Sequence, residues 1–384
     1  MLSALWNSND YILGIVGLAN VGKSTFFQAI TKSTLGNPAN YPYATIEPEE
    51  ARVLVPSKKL DKLTELFGSQ KKIPAILKIF DIAGLTKGSS TGAGLGNQFL
   101  ADIRAVDGIF QVVRAFRDDE IIHIEGNVDP VRDLTIVQDE LILKDMEFIE
   151  NSVLKLEKQL KSRGGKTQHE IARFEEELET LNMAFELITE GQKIINKQDW
   201  TNDQIDILNS YTLLTAKPTV FLVNVNEQDF LSQSNEFLPK IQEWVDEYAT
   251  GSQVILFSAS YETKLNNENP ETTHESSSLP SIINQMRESL NLISFFTCGP
   301  IEARQWTVRK NVMAPQAAGV IHTDFEKTFI NAEVIKYDDI KDYNPPFDEK
   351  ILRSKGKVHR VGKTYVIEDG DLVHFKAAAA KARK

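Results

Sequence analysis

Five short segments of this chain are apolar almost without interruption. They are residues 11–16, 76–80, 108–113, 219–223 and 253–257, and each is rich in β-branched or aromatic side chains. A strand with apolar side chains on both faces is typical of a parallel sheet that is covered by helices on both sides. The five segments therefore predict an α/β fold built on a parallel sheet flanked by helices.

The first apolar segment runs directly into a glycine-rich loop. Residues 17–24 read Gly-Leu-Ala-Asn-Val-Gly-Lys-Ser, and a helix is predicted to follow them. This pattern between a strand and a helix is typical of a P-loop, whose backbone N–H groups surround the phosphates of a nucleotide. Lys23 is predicted to contact the β- and γ-phosphates and to serve catalysis. A nucleoside triphosphate is the predicted ligand of Asn20, Val21, Gly22, Lys23, Ser24 and Thr25.

A magnesium site is predicted beside these phosphates. The hydroxyl of Ser24 is the expected first ligand, and Thr45, on a polar loop, is the expected second hydroxyl ligand. Taken alone, Thr45 would be an ordinary loop threonine. Asp81 ends a predicted strand, where its carboxylate can hold the water shell of Mg²⁺, and the amide of Gly84 can meet the γ-phosphate.

The residue after Gly84 departs from the pattern of Ras-like enzymes. Those enzymes place a glutamine there to orient the attacking water, whereas this chain has Leu85. Another polar group must then take that role, and His123 is the candidate, because a neutral imidazole can accept a hydrogen bond from water. A surface or packing histidine is the alternative. Asn20 is predicted to help hold a monovalent cation such as K⁺, with a loop-bracing asparagine as the alternative.

The base is expected to be read where Asn224-Val225-Asn226-Glu227 replaces the Asn-Lys-x-Asp of guanine sites. Asn224 can bond N7 or the adenine 6-amino group, and Val225 is predicted to make an apolar contact with the ring. Glu227 carries its carboxylate one methylene further along than Asp would. Phe116 could also touch adenine, although an ordinary core phenylalanine is the alternative. The residues thus favour ATP over GTP.

A long helical insertion separates segment 108–113 from segment 219–223. Apolar residues recur at spacings of three and four over 134–160 and again over 171–188, which is typical of a coiled-coil seam. Paired glycines between the two runs suit a hairpin tip. An antiparallel helical hairpin is predicted over 131–199, with a compact helical subdomain as the alternative.

The rest of the chain is assigned to two domains and a tail. Residues 11–130 and 200–292 are predicted to form one discontinuous P-loop nucleotide-binding domain. From residue 293 to 377, short strands with one helix predict a small α+β domain, followed by a basic tail at 378–384. The Asp369-Gly370 pair within 362–376 is typical of a β-hairpin turn.

Composition limits the compartment and the partners. A single cysteine, Cys298, excludes an intrachain disulfide, and no signal peptide or membrane-length apolar window is found;. Cytoplasm is the expected location, without membrane association. A net charge of −11 argues against bulk nucleic-acid binding;, so DNA is not an expected partner, although the stretch 353–363 is locally basic.

Several of these motifs together resemble the YchF, or Obg-like ATPase, family. They are "GLANVGKST", "NYPYATIEP", "DIAGLTKGSSTGAGLGNQFL" with Leu85, and the Asn-x-x-Glu at 224–227. The resemblance implies Mg²⁺-dependent ATP hydrolysis in the cytosol and a TGS domain of β-grasp type at 293–377. It also implies association with ribosomal RNA or protein through the TGS domain and the hairpin, with roles in translation and stress. An Obg-type GTPase and a nucleotide-gated binding module with incidental hydrolysis are the alternatives.

Overall fold

The protein forms two compact units. The structure is a computed structural model that describes residues 11–33, 50–82, 101–162, 167–268, 276–345 and 347–378. The first unit comprises Tyr11–Val53 and Lys78–Ser289, and the second comprises Leu54–Leu77 and the residues from Leu290 onward. Thr45, Gly84, Leu85, residues 163–166 of the predicted hairpin tip at 162–167 and residues 379–384 of the predicted basic tail lie outside the described residues.

The first unit is built on a six-stranded sheet with the order β2-β4-β1-β5-β6-β7. From β4 to β7, neighbouring strands are parallel. Every residue of β5 and β6 is buried, and since successive residues point to opposite faces, both faces are covered. The predicted α/β fold is confirmed. The strands are β1 Ile12–Val16, β2 Glu50–Leu54, β4 Ile76–Asp81, β5 Gly108–Arg114, β6 Thr219–Asn224 and β7 Gln253–Phe257, and β3 belongs to the second unit.

Eight α-helices are described in the first unit, together with two 3₁₀ helices, Ile194–Asn196 and Leu214–Ala216, and a short helical stretch at 101–105. Among the described helices, none is both long enough and apolar enough to cross a membrane. The eight are α1 Lys23–Lys32, α3 Pro130–Lys161, α4 Gln168–Thr189, α5 Asn202–Tyr211, α6 Glu227–Ser232, α7 Leu238–Tyr248, α8 Ala259–Glu268 and α9 Leu279–Ser289, and α2 belongs to the second unit.

Helices α3 and α4 are the two helices of the predicted insertion. Asp129 caps α3 by accepting a hydrogen bond from the backbone N–H of Arg132, and Thr167 caps α4 in a capping box;. Seam residues Ile149, Leu156 and Leu181 are buried in one apolar cluster. The three-and-four spacing therefore marks the faces that pack together.

The second unit has its own six-stranded sheet with the order β11-β10-β12-β8-β9-β3. Adjacent residues Phe295 and Phe296 of β8 belong to two different apolar clusters, so this sheet has a core on each face. Its elements are α2 Lys58–Phe67, β3 Lys71–Ile73, β8 Leu292–Cys298, β9 Glu302–Arg309, α10 Ala314–Ile321, α11 Thr323–Lys327, β10 Phe329–Ile335, α12 Glu349–Ser354, β11 His359–Val361 and β12 Leu372–Ala377.

Two expectations about chain organisation differ from the structure. Segment 54–77 belongs to the second unit, where β3 pairs in parallel with β9, although the sequence placed it in a nucleotide-binding domain that runs from 11 to 130. The predicted hairpin over 362–376 is wrong, because β12 pairs antiparallel with β10 and in parallel with β8. In both cases the strand, β3 or β12, pairs with a strand that is distant in sequence, and a local pattern cannot specify such a pairing.

Candidate nucleotide site

The loop between β1 and α1 is shaped by two glycines with positive φ. A Cβ atom on Gly17 (φ 152°) would lie 2.4 Å from the carbonyl oxygen of Val112, and one on Gly22 (φ 103°) would lie 2.3 Å from Nδ2 of Asn224. At Gly17 the close atom belongs to the backbone, and both residues have positive φ values that strain any other residue, so glycine is required at each position;. The backbone of the loop can therefore lie directly against the ends of β5 and β6, with its N–H groups available to a ligand.

The N-terminus of α1 has the features of an anion site. Gly22 is the N-cap and provides no side-chain hydrogen bond, and the first turn has no acidic residue. The N–H groups of Lys23, Ser24 and Thr25 have no acceptor within the helix and lie at the positive end of its dipole. Ser24 and Thr25 are exposed. A helix terminus of this kind binds anions such as phosphate.

Lys23 is buried in this loop. Its Nζ donates to the carbonyl oxygen of Leu18 at 2.7 Å. Burial lowers its pKa to about 8, and the nearby carboxylate of Asp81 opposes that shift. The ammonium group thus lies among an acceptor, a carboxylate and the N-terminus of a helix, and a phosphate oxygen entering the loop would compete with Leu18 for it.

The candidate magnesium ligands are only partly described. Ser24 is exposed at the start of α1, and Asp81 ends β4, paired in register with Ile15 of β1. In the part of the chain that the structure describes, no three His, Cys, Asp or Glu side chains form a cluster able to hold a metal. A sparse protein ligand set is nevertheless what Mg²⁺ uses when phosphates and water complete its octahedron.

Asn224 links three loops of the site. Its Nδ2 donates to the carbonyl oxygen of Val21 at 2.9 Å, and its Oδ1 accepts from the backbone N–H of Ala259 at 3.1 Å. The carboxamide oxygen is thus occupied, and one N–H of the amide remains for a base. Contact between Asn224 and a base stays a prediction.

Val225 and Glu227 differ from the positions expected of them. Val225 is only 1% exposed and belongs to the apolar cluster that contains Phe230, so its side chain faces the core and does not cover a ring site. Glu227 is half-buried at the start of α6 and forms an ion pair with Lys264 of α8 at 2.8 Å. The carboxylate that replaces the guanine-reading Asp is therefore engaged by a cation.

Phe116 lies beside a buried arginine that the sequence analysis did not single out. Arg114, 1% exposed at the end of β5, donates to the carbonyl oxygens of Phe116, Asp118 and Ile121 at 2.9–3.1 Å. Its guanidinium carbon lies 4.6 Å from the centre of the half-buried Phe116 ring. Arg114 thus fixes the loop after β5. Its signal in the sequence was a cation directly after an apolar strand.

His123 is not placed as the water-orienting role requires. The imidazole is 6% exposed, its Nε2 lies 2.8 Å from Oδ2 of Asp133, and its Nδ1 accepts from the backbone N–H of Glu125 at 3.1 Å. Since Nδ1 is an acceptor, Nε2 carries the proton and donates to Asp133. Both ring nitrogens are used within the protein, so the packing alternative describes His123 in this structure.

Asn20 holds the phosphate loop to the loop that follows β5. Its backbone is left-handed (φ 63°), and its Nδ2 donates to the carbonyl oxygen of Ile122 at 3.1 Å. This is the loop-bracing arrangement. Its oxygen is the atom that would face a cation, and K⁺ binding stays a prediction.

Fold and site together define a class of protein. A parallel sheet whose first strand leads into Gly-x-x-x-x-Gly-Lys-Ser, with a buried lysine and an uncapped helix N-terminus, is the nucleotide site of a P-loop nucleoside triphosphatase. A model described as "50S ribosome-binding GTPase" matches residues 12–151, and the YchF-GTPase_C model, described as "Protein of unknown function (DUF933)", matches 292–378.

Whole-chain relatives identify the family. The chain is similar to Obg-like ATPase 1 of Saccharomyces cerevisiae, with 51% identity over 381 residues covering 97% of this chain and 95% of that protein. Obg-like ATPase 1 of Schizosaccharomyces pombe is 52% identical over 376 residues, which cover 96% and 95%. The solved structure of the Schizosaccharomyces pombe YchF GTPase matches with a TM-score of 0.85 and 51% identity, covering 97% of this chain and 99% of that one. This chain belongs to the YchF, or Obg-like ATPase, family.

Proposed function

We propose that this protein is a Mg²⁺-dependent ATPase that acts as a nucleotide switch in the cytoplasm. The observation that carries the proposal is the phosphate loop, where the buried Lys23 and the free N–H groups at the start of α1 follow a loop whose Gly17 and Gly22 have positive φ. Family membership supports nucleotide binding and hydrolysis in general. The names of the relatives include both ATPase and GTPase, so the choice of base needs its own argument.

Glu227 supports adenine over guanine. A guanine site needs a carboxylate that accepts hydrogen bonds from N1–H and the 2-amino group, and here that carboxylate is paired with Lys264. Adenine has an unprotonated N1 and no 2-amino group, so it has no donor there that needs the carboxylate of Glu227 as an acceptor. Guanine would leave its donors without an acceptor, at a cost of about 1 to 3 kcal/mol for each unpaired buried group. Phe116 is the aromatic ring proposed to contact the base.

Magnesium and a monovalent cation complete the proposed site. The hydroxyls of Ser24 and Thr45, with Asp81 behind the water shell, would hold Mg²⁺, which neutralises charge on the β- and γ-phosphates. Asn20 would help hold K⁺, and the Gly84 amide would meet the γ-phosphate. We expect Ser24→Ala to weaken ATP binding about tenfold with Mg²⁺ and only slightly when the metal is chelated. Equal losses in both conditions would remove Ser24 from the ligand set.

The second unit is proposed to be a TGS domain that contacts ribosomes together with α3 and α4. Arg353, Lys355, Lys357, Arg360 and Lys363 lie exposed on and around edge strand β11. These cations suit the phosphates of ribosomal RNA, although Arg353 also pairs with Glu333. Ribosome binding in sedimentation should then weaken steeply with salt, because each neutralised phosphate releases counterions. Salt-independent binding would indicate contacts with ribosomal protein.

The geometry around His123 favours one second candidate, a nucleotide-gated binding module with incidental hydrolysis. Both ring nitrogens of His123 are bonded within the protein, and Leu85 cannot orient water. Single-turnover hydrolysis of ATP and GTP, with and without ribosomes, separates the candidates. Rapid ATP turnover identifies an ATPase, rapid GTP turnover an Obg-type GTPase, and negligible turnover with retained ATP affinity a binding module.

A further inference from the structure

A groove of about 880 Å³ lies between helices α3 and α7 in the first unit. Its walls come from the N-terminal turns of α3, from α7 and from Gly191. No residue of the phosphate loop, nor Asp81 or Asn224, lines it. The groove is therefore separate from the candidate nucleotide site.

Acidic side chains and two aromatic residues line the groove. Its four carboxylates belong to Asp129, Asp139, Glu243 and Glu247, and its only cations belong to Arg132 and Lys240. The guanidinium of Arg132 is already bonded to Asn127 and Asp133. An excess of negative charge thus faces the groove, so it repels phosphate and attracts cationic groups.

Two aromatic residues of α7 line the groove, the buried Trp244 and the half-buried Tyr248. The rings of Trp244 and Tyr248 lie 5.4 Å apart between centres. The indole N–H of Trp244 donates to the hydroxyl of Thr135 at 3.0 Å, which joins α7 to α3 across the groove. Aromatic faces bind ammonium and guanidinium groups, and carboxylates beside them strengthen that attraction.

Gln138 provides an independent sign that a hydrogen-bond donor is missing. This residue lines the groove and is 5% exposed. Its Nε2 donates to the carbonyl oxygen of Gly191 at 3.0 Å, which fixes the orientation of the amide. Its Oε1 is buried without a partner among the residues that the structure describes. Buried acceptors are nearly always paired, so this one points to a ligand that donates.

We propose that the α3–α7 groove binds a basic peptide segment of a partner protein. Lysine and arginine side chains supply N–H donors for Gln138, positive charge for Glu243 and Glu247, and a cation for the half-buried ring of Tyr248. The net charge of −11 for the whole chain favours the encounter with such a segment. The inference does not rest on the proposed function, because the groove shares no residue with the phosphate site.

The test is calorimetric titration of the full chain with a short blocked peptide of alternating lysine and serine. A peptide with glutamate in place of lysine and the polyamine spermine serve as comparison ligands. We expect the lysine peptide to bind with an affinity that falls as salt rises, and the glutamate peptide not to bind. Failure of the lysine peptide to bind at low salt, or equal binding by spermine, would overturn the proposal.

Matched variants locate the binding. Glu243→Gln with Glu247→Gln removes two carboxylates from the groove, and Glu236→Gln with Asp246→Asn removes two exposed carboxylates on or beside α7 that do not line it. The first pair should weaken the lysine peptide about tenfold and the second less than about twofold. Unchanged ATP affinity in both confirms folding. Equal effects of the two pairs would show that the peptide follows net charge and not this groove.

Discussion

Lys23 and Lys193 are two buried lysines in very different regions of the first unit. Burial lowers the pKa of each to about 8. Lys23 lies in the phosphate loop, with the carbonyl oxygen of Leu18 as acceptor and Asp81 nearby. Lys193 follows α4, is 2% exposed, and has its Nζ 5.1 Å from the centre of the Phe221 ring.

The difference between them shows what a perturbed pKa does and does not indicate. Within the described ranges, no carboxylate forms an ion pair with Lys193, and desolvation is the whole cause of its shift. Lys23 has the same shift but also faces an uncapped helix N-terminus and a loop that only glycine can form. The surroundings, and not the pKa, therefore distinguish a binding lysine from a packed one.

The largest expected effect tests Lys23 directly. Lys23→Ala removes the cation that meets the β- and γ-phosphates, so ATP affinity measured by calorimetry should fall about 100-fold or more, or ~2.7 kcal/mol. Lys193→Met, which also removes a buried ammonium, should leave ATP affinity within about twofold. Unchanged affinity in Lys23→Ala would contradict the P-loop assignment.

His123 extends the comparison to a third buried titratable group. His123→Ala leaves the buried carboxylate of Asp133 without one donor and the N–H of Glu125 without its acceptor, so unfolding in urea should show a loss of about 1 to 3 kcal/mol. ATP affinity and single-turnover hydrolysis of the folded variant should change less than about threefold.

A different outcome would restore a catalytic role for His123. Asp133→Asn is the matched control, because it perturbs the same pair and keeps the imidazole. A tenfold slower turnover, about 1.4 kcal/mol in barrier, in His123→Ala but not in Asp133→Asn would mean that His123 leaves Asp133 during the reaction.

The pKa of Lys23 predicts a pH dependence of binding. The ammonium is charged below pH about 8, and triphosphate binding favours the charged form, so at higher pH binding must take up a proton. ATP affinity should fall about tenfold between pH 7 and pH 9. The decline should be the same in Lys193→Met, and an affinity independent of pH over this range would contradict the contact between Lys23 and phosphate.

The smallest expected effect is a gain in stability. Lys193→Met replaces a buried ammonium by an apolar side chain of similar length, so the free energy of unfolding at pH 7 should rise by about 1 to 3 kcal/mol. The folded pKa lies below the unfolded value of 10.5, so the Lys193 contribution to stability rises from pH about 8 to 10.5. In Lys193→Met the free energy of unfolding should therefore lack the increase that Lys193 causes between pH about 8 and 10.5. A variant less stable than the wild type would indicate an unrecognised role for the charge.

Much of the fold and the phosphate site could be predicted because their signals are local. Unbroken apolar segments identify strands that are buried on both faces, and the glycines and Lys23 stand within one loop between a strand and a helix. The spacing along α3 and α4 likewise identified the faces that pack together. In each case neighbouring residues carry both the pattern and the structure that it predicts.

The sequence alone determined the parallel sheet, the phosphate loop with Lys23 and the paired helices, because backbone geometry and side-chain periodicity act over a few residues. Long-range packing alone set three other features: β3 joins the second unit, Val225 faces the core, and Asp133 accepts a hydrogen bond from Nε2–H of His123. An apolar or polar face can meet many partners. Which one it meets depends on contacts between residues far apart in the chain, and no local pattern records them.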